Sequence, residues 1–522
     1  MSRSRYCVLF CLWGLSSALS VPYSSSLDAG SLPQTPFTQH KPANLPHTDP
    51  THSFWTHSPG ANPLAAEGST GALTDDADVC IIGSGITGVS AAYHLANAVG
   101  EGAFPLGRDN KVRAVILEAR EFCSGATGRN GGNLTPVSFA SFRQVEALFG
   151  RVSTLRHYAI EHYSASEMVR IAREAGWADA VDLVEGGHID VMLTQEQLAE
   201  LTADFAAAVE AGKNVNDVSW LSREEMNATF GTYNWGVRTQ GYNLWPLKFI
   251  TQLFNQTRNS IASSDKLDLR LHTRTPVTSI SALPLDANNT ASSSPARRWS
   301  LATPRGHVHC TSVLHATNGY ASHLLPHMAS PNPDAIIPVR GQVMAIRAAA
   351  SLEAIGKASW VGNEAGNEGY WFPRPVGAGE GEPLVILGGA RTAAGPPFEM
   401  DTTDDSEVDE RVGAVLRGFL PEMFPGRYEP GREPEVEWTG IMGYNSLDIP
   451  FVGPVLDRRS AVASHTGQFI SAGYAGHGMP RAYGCAEVAV QMIAAELGGW
   501  DWEAPEWFPR PFLTWVRDSE EP

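Results

Sequence analysis

Gly83-Ser84-Gly85-Ile86-Thr87-Gly88 sets three glycines at the spacing that lets a backbone turn approach a pyrophosphate. Asp78-Val79-Cys80-Ile81-Ile82 just before it is a short apolar run of β type, and Ile86, Val89, Tyr93 and Ala96 after it recur at helical spacing. Gly83 is expected to make the tight turn, Gly85 to admit the phosphates and Gly88 to let helix and strand touch. The N–H groups opening that helix carry a partial positive charge toward the ligand. The next strand, 112–117, ends in Glu118, followed by Ala119; a carboxylate there accepts the ribose hydroxyls of an adenosine and repels a 2′-phosphate. The segment 100–110 is rich in glycine and charge and delays Glu118 as a loop insertion. A second glycine string, Gly377-Ala378-Gly379-Glu380-Gly381-Glu382, ends in glutamate instead of glycine and has no strand before it. One bound dinucleotide is therefore expected, oxidised or reduced directly by the substrate.

Ser124-Gly125-Ala126-Thr127-Gly128-Arg129-Asn130-Gly131-Gly132 follows closely. Four glycines, small hydroxyls and one arginine suit a nest of N–H donors around phosphate. Three further side chains are candidates for the chemistry itself. Tyr370, in Tyr370-Trp371-Phe372, either walls a substrate pocket or packs in the core. Arg391 either presents a cation to dioxygen or to a substrate carboxylate, or makes a surface salt bridge. His477 lies in Gly476-His477-Gly478-Met479, and Pro480 is expected to start a helix carrying Cys485, Ala489, Met492 and Ile493 on one face. That puts His477 just ahead of a helix N-terminus, as a proton donor or as packing. His307 and His309 alternate beside Cys310; an exposed hairpin is the better reading, and no metal site is expected.

The elements that must position these groups come from a chain of 522 residues with formal net charge −18 and 43% hydrophobic residues. That acidity makes it a poor partner for phosphate backbones, so nucleic-acid binding is excluded. Two arginines in the first five residues, an apolar stretch to residue 20 and Ala18-Leu19-Ser20 form a signal-peptide pattern over 1–20. The expected location is secreted or in the endomembrane lumen. Cleavage removes Cys7 and Cys11 and leaves Cys80, Cys123, Cys310 and Cys485, which the sequence gives no basis for pairing. No CxxC occurs, which rules out a zinc ribbon and a disulfide scaffold. Sequons stand at Asn133, Asn227, Asn255 and Asn288. No apolar run reaches the roughly 18 residues a spanning helix needs. Residues 21–75, rich in Ser, Thr, Pro and His, are expected to be a disordered leader, and 286–297 a polar loop. Val145, Leu148, Phe149, Val152 and Leu155 mark an amphipathic helix, 384–387 a buried strand, and the tryptophan-rich tail 499–522 a cover over the core.

The string from Ser124 to Gly132 resembles the flavin-wrapping segment of FAD-dependent oxidoreductases of the D-amino-acid oxidase and sarcosine oxidase (DAO) family, and is most like the γ-glutamylputrescine oxidoreductase branch. Other pieces fall in the family's order: Trp245-Pro246-Leu247, His315-Ala316-Thr317-Asn318-Gly319-Tyr320, Pro338-Val339-Arg340-Gly341-Gln342, Trp438-Thr439-Gly440, Asp448-Ile449-Pro450-Phe451-Val452-Gly453-Pro454 and Ala472-Gly473-Tyr474-Ala475-Gly476-His477-Gly478-Met479. The resemblance implies an α/β (α+β) protein over 76–498. A Rossmann-like FAD-binding part (77–175, 267–319, 435–498) would interleave with an antiparallel-sheet substrate part (181–259, 335–432). It further implies that Val277 meets the adenine, Thr317 and Gly319 line the phosphate side, and Gly476, His477, Gly478 and Met479 reach the ring. Where relatives carry histidine or glutamine, Asn133 stands here, and no cysteine in 440–444 offers a flavin tether. The implied activity is oxidation of a C–N bond of an amine or amino acid, with hydride to FAD and O2 giving H2O2. Alternatives are a flavin dehydrogenase with another acceptor and a non-catalytic flavin-binding protein.

Overall fold

The computed structural model describes residues 41–517 apart from 263–264, 285–295, 330–334, 365, 378–380 and 458–464. The signal-peptide reading, the leader before residue 41, the Asn288 sequon and most of the 286–297 loop lie outside the described residues, as do 518–522.

A near-continuous apolar run such as Asp76–Ile82 is buried on both faces, which suits a parallel sheet. It pairs in parallel with Val112–Leu117 on one side and Gly306–His315 on the other. The first sheet runs Phe451–Pro454, Gln468–Ala472, Gly306–His315, Asp76–Ile82, Val112–Leu117, Leu267–His272, with Trp299–Thr303 and Ser279–Ala282 extending it beside Gly306–His315. Helices Ile86–Glu101 and Ala482–Gly498 pack on it and on each other. Cys80 and Cys310 form a disulfide between neighbouring strands, while Cys123 and Cys485 are free and buried.

The second sheet also has eight strands among the described residues, in the order Val436–Tyr444, Ile337–Arg347, Leu384–Gly389, Asn367–Pro373, Ser359–Glu364, His188–Met192, Trp235–Thr239, Ser219–Leu221. Its pairs are antiparallel except Ser359–Glu364 with His188–Met192, which run parallel. Val436–Tyr444 was expected in the FAD part; its ladder runs along Ile337–Arg347, so it belongs to this sheet.

Three further expectations change. Residues 41–75 are folded, not disordered: Trp55 is fully buried, its indole N–H donates to the Asn130 carbonyl at 2.6 Å, and Ser53 Oγ donates to the Gly128 carbonyl at 2.6 Å. A few well-placed large side chains suffice to hold a polar segment against a core built by the rest of the chain. The helix Phe142–Glu174 takes non-helical angles at Gly150, and Leu148 and Val152 are 56% and 63% exposed. The break shifts the helical register, so the face drawn through Val145, Leu148 and Val152 is not one buried stripe. Pro480 lies in a turn; the helix begins at Ala482, whose N–H bonds the Gly478 carbonyl at 2.8 Å. In the tail, Phe508, Phe512 and Leu513 are buried, Trp507 stacks on Tyr163, and Trp500 and Trp515 remain exposed.

Candidate active site

Gly83 leaves its strand at φ +108°, a region costly for side chains, and a Cβ there would stand 2.7 Å from the Ala316 carbonyl oxygen. A Cβ on Gly88 would stand 1.9 Å from the Gly83 carbonyl oxygen, so helix and turn touch through glycine alone. Glu118 is buried at the end of the neighbouring strand and accepts hydrogen bonds from Ser84 N–H at 2.9 Å, Ser84 O–H at 2.7 Å and Arg120 N–H at 3.0 Å. The carboxylate thus pins the glycine turn as well as facing the space beside it. Ile86 N–H donates to Thr127 Oγ1 at 3.0 Å, joining the fingerprint to the second glycine loop.

These groups border a cavity of about 470 Å³ between the two sheets. Gly83, Gly85, Ile86, Thr87, Glu118, Ala119, Gly125, Ala126, Thr127, Arg129, Asn130, Gly131, Gly132, Val277, Thr317, Gly476, His477, Gly478 and Met479 line it, as do Tyr370 and Arg391. Gly88 does not line it, in keeping with its packing role; Ser84, Ser124, Gly128 and Gly319 do not line it either, contrary to expectation. Ser84 is turned to Glu118; Gly128 and Gly319 have backbone oxygens of Cys123 and Met442 at 2.2 and 2.4 Å from where a Cβ would stand. These glycines serve close packing behind the wall. Arg129 lines the cavity, but its guanidinium donates to the Thr439 carbonyl at 2.6 Å and to Thr51 Oγ1 at 2.7 Å, with Asp405 at 3.4 Å. Burial lowers its pKa to about 10. Through these bonds it braces the loop from inside, while its buried Nη1 has no hydrogen-bond partner in the protein.

The cavity fits FAD. No heavy atom stands within 4 Å of where a Cβ on Gly125 would be, and two buried hydroxyls at the wall, Thr317 Oγ1 and Tyr320 Oη, have no hydrogen-bond partner in the protein. Such orphaned buried groups call for a polar ligand.

At the other end, Tyr370 lies over Gly131: a Cβ there would stand 2.5 Å from the Tyr370 ring. Burial pushes the Tyr370 hydroxyl up, so it stays protonated. Arg391 donates to the Phe398 carbonyl at 2.9 Å, and its guanidinium carbon stands 5.4 Å from the Tyr444 ring centre. His477 Nε2 lies 3.3 Å from Glu161 Oε2, and Glu161 also accepts from Arg481 Nε at 2.7 Å and from Val137 N–H at 2.8 Å. Burial alone would raise the Glu161 carboxyl, but His477 and Arg481 outweigh it and hold it below the usual carboxylate range.

Residues the sequence reading missed are His188 and Asp190, which share one face of a strand and line the cavity. His188 Nδ1 shares a hydrogen bond with Ser359 Oγ at 2.8 Å, and its Nε2 lies 3.9 Å from Asp190 Oδ2. Burial lowers His188 to about 3 and raises Asp190 to about 7. The alternation of His188 and Asp190 with Ile189 and Val191 was the available signal, but nothing local marks which face meets the cavity. His307 and His309 are exposed on their hairpin, as expected.

The model of the family "FAD dependent oxidoreductase" (DAO) matches residues 78–492. The chain belongs to this family. FAD is its cofactor. The chain is 24% identical over 422 residues to the probable oxidoreductase OrdL of Rhizobium meliloti (strain 1021), covering 80% of this chain and 82% of that one. It is 34% identical over 124 residues to γ-glutamylputrescine oxidoreductase of Escherichia coli (strain K12), over 24% of this chain and 26% of that one. Among solved structures, glycine oxidase from Geobacillus kaustophilus shares the fold at a TM-score of 0.57 and 19% identity, covering 84% of this chain and 98% of that one. Among the described residues, no helix is long and apolar enough to cross a membrane.

Proposed function

We propose that this DAO-family oxidoreductase oxidises a C–N bond of a small amine or amino acid and passes the electrons to O2. One observation carries the reading: the cavity joins the dinucleotide cradle to a pocket lined by a cation, Arg391, and by an acid poised near neutrality, Asp190. Bound FAD supplies a two-electron acceptor. Asp190 takes the proton of the substrate ammonium, leaving the neutral amine that can be oxidised. The α-carbon gives up its hydrogen with two electrons and the nitrogen a proton, which leaves an imine. Water hydrolyses the imine to a carbonyl compound and a free amine or ammonia. O2 gains two electrons and two protons and leaves as H2O2. Arg391 orients a substrate carboxylate where one is present, and Tyr370 walls the apolar part. The names of the relatives, a glycine oxidase and a γ-glutamylputrescine oxidoreductase, support an amino acid or amine as substrate.

The same proposal places the enzyme on the secretory route. The N-terminal pattern and the Cys80–Cys310 disulfide support an oxidising compartment. A peroxide-release screen of the purified flavoprotein against amines, N-methyl amino acids, and D- and L-amino acids tests the function. Turnover of one of these classes with stoichiometric peroxide is expected; turnover only with an artificial acceptor would replace oxidase by dehydrogenase.

A further inference from the structure

Three segments far apart in sequence converge at one edge of the FAD-binding sheet, away from the glycine cradle. His327 lies in the short helical turn Pro326–Met328. Asp457 follows the strand Phe451–Pro454, and His465 precedes its antiparallel partner Gln468–Ala472. The ladder of that hairpin continues through Val455 N–H to the Gln468 carbonyl at 2.9 Å, which brings Asp457 and His465 to the same end. One ligand atom from each of His327, Asp457 and His465 lies within 4.8 Å of the other two.

His465 is held as a preset ligand would be. Its ring stacks on Trp299 with centroids 6.5 Å apart, and the Trp299 indole N–H donates to the neighbouring Thr466 carbonyl at 3.0 Å. The His327 ring stands 5.1 Å from the His465 ring. Nδ1 of His465 is buried and has no hydrogen-bond partner. A buried imidazole nitrogen left in that state is costly unless something else satisfies it.

We infer that His327, Asp457 and His465 form a binding site for a divalent transition metal of the zinc class, separate from the flavin cavity. Two imidazoles and one carboxylate are a donor set zinc accepts, with a water completing four-coordination. Ligand atoms about 2.0–2.2 Å from one zinc ion stand about 3.4 Å apart, so binding draws the trio inward by up to about 1.4 Å from its present spacing. The ion would tie the end of the 451–472 hairpin to the turn at Pro326–Met328, two pieces that already pack through Met328, Phe451, Val455 and Ile470. None of the three residues lines the cofactor cavity, so the site is a clamp and takes no part in the oxidation.

The test uses the full-length, tag-free, FAD-loaded chain, stripped with a chelator, dialysed and titrated with zinc chloride. One zinc per chain is expected by elemental analysis, with an upward shift of the unfolding temperature that the chelator reverses. His465→Ala and Asp457→Asn should each lose both the bound zinc and the shift while keeping the wild-type flavin spectrum. The near-isosteric Asp457→Asn decides the matter if His465→Ala does not fold. Failure of the wild-type chain to retain zinc, or retention undiminished in a folded variant, overturns the site.

Discussion

Glu161 and Arg481, both fully buried, meet at 2.7 Å directly behind His477. Arg481 also bonds the Asp448 carbonyl at 3.2 Å and stands 3.2 Å from His157 Nε2, so one guanidinium ties the long helix to the loop Gly476–Met479. Glu161→Gln leaves that cation buried with a weakened partner, which should cost about 3–5 kcal/mol. Because the Glu161 carboxyl is held below its ordinary range, its contribution is present above the ordinary carboxylate pKa and is lost as pH falls through and below it. Denaturant unfolding at pH 7 and pH 4 checks both statements: the gap between wild type and variant should narrow at the lower pH. Glu161→Gln/Arg481→Met should recover part of the loss; a double variant no better than the single one contradicts the pairing.

Glu118 holds Ser84 with one oxygen and faces the adenosine end of the cavity. Glu118→Gln removes the charge from three hydrogen bonds and offers the ribose a poorer acceptor. A loss of about 1–2 kcal/mol, roughly tenfold in FAD affinity, is expected. Titration of the apoprotein followed by flavin fluorescence measures it; an unchanged Kd removes Glu118 from the cofactor site.

Asp190 titrates at about 7 in the fold against an ordinary 3.8, because burial disfavours its charge. The unfolded chain releases this proton earlier, so stability falls as pH rises from about 4 to about 7 and stays lowered above that. Asp190→Asn should therefore match wild type near pH 4 and exceed it by about 2–4 kcal/mol at pH 8. The same substitution should raise KM for a cationic amine. Parallel melting curves across pH that never diverge would show that Asp190 is not held near neutrality.

Trp55 fills the space beside Gly132, where a Cβ would stand 2.9 Å from its ring, and packs on Trp245 and Phe372. Trp55→Ala should cost about 3–5 kcal/mol and loosen the loop that borders the cofactor. Both the unfolding free energy and the retained flavin should fall; retained flavin at the wild-type level would confine the segment to a passive cover.

The parts of the site that were legible in the sequence are those whose residues are contiguous. Gly83 to Gly88 and the strand ending in Glu118 carry their geometry in their spacing, so turn, helix and acceptor could be named without the fold. Glu161 and Arg481 stand 320 residues apart, and His188 meets Ser359 only through a parallel pairing between distant strands. No local pattern encodes such meetings. Arg129 was legible as a loop cation but not as a buried brace, because Asp405 and Thr439 reach it through the tertiary fold. Residues 41–75 have too few apolar residues to fold by themselves, which is what composition reports; a segment that borrows a core made by other elements escapes that reading.

The most direct measurement is anaerobic mixing of the FAD-loaded enzyme with the panel of amines and amino acids, followed through the visible flavin absorption. Loss of that absorption with one of these classes is expected, and its return with formation of peroxide when O2 is admitted. If every amine and amino acid leaves the flavin oxidised, C–N oxidation at this site is contradicted.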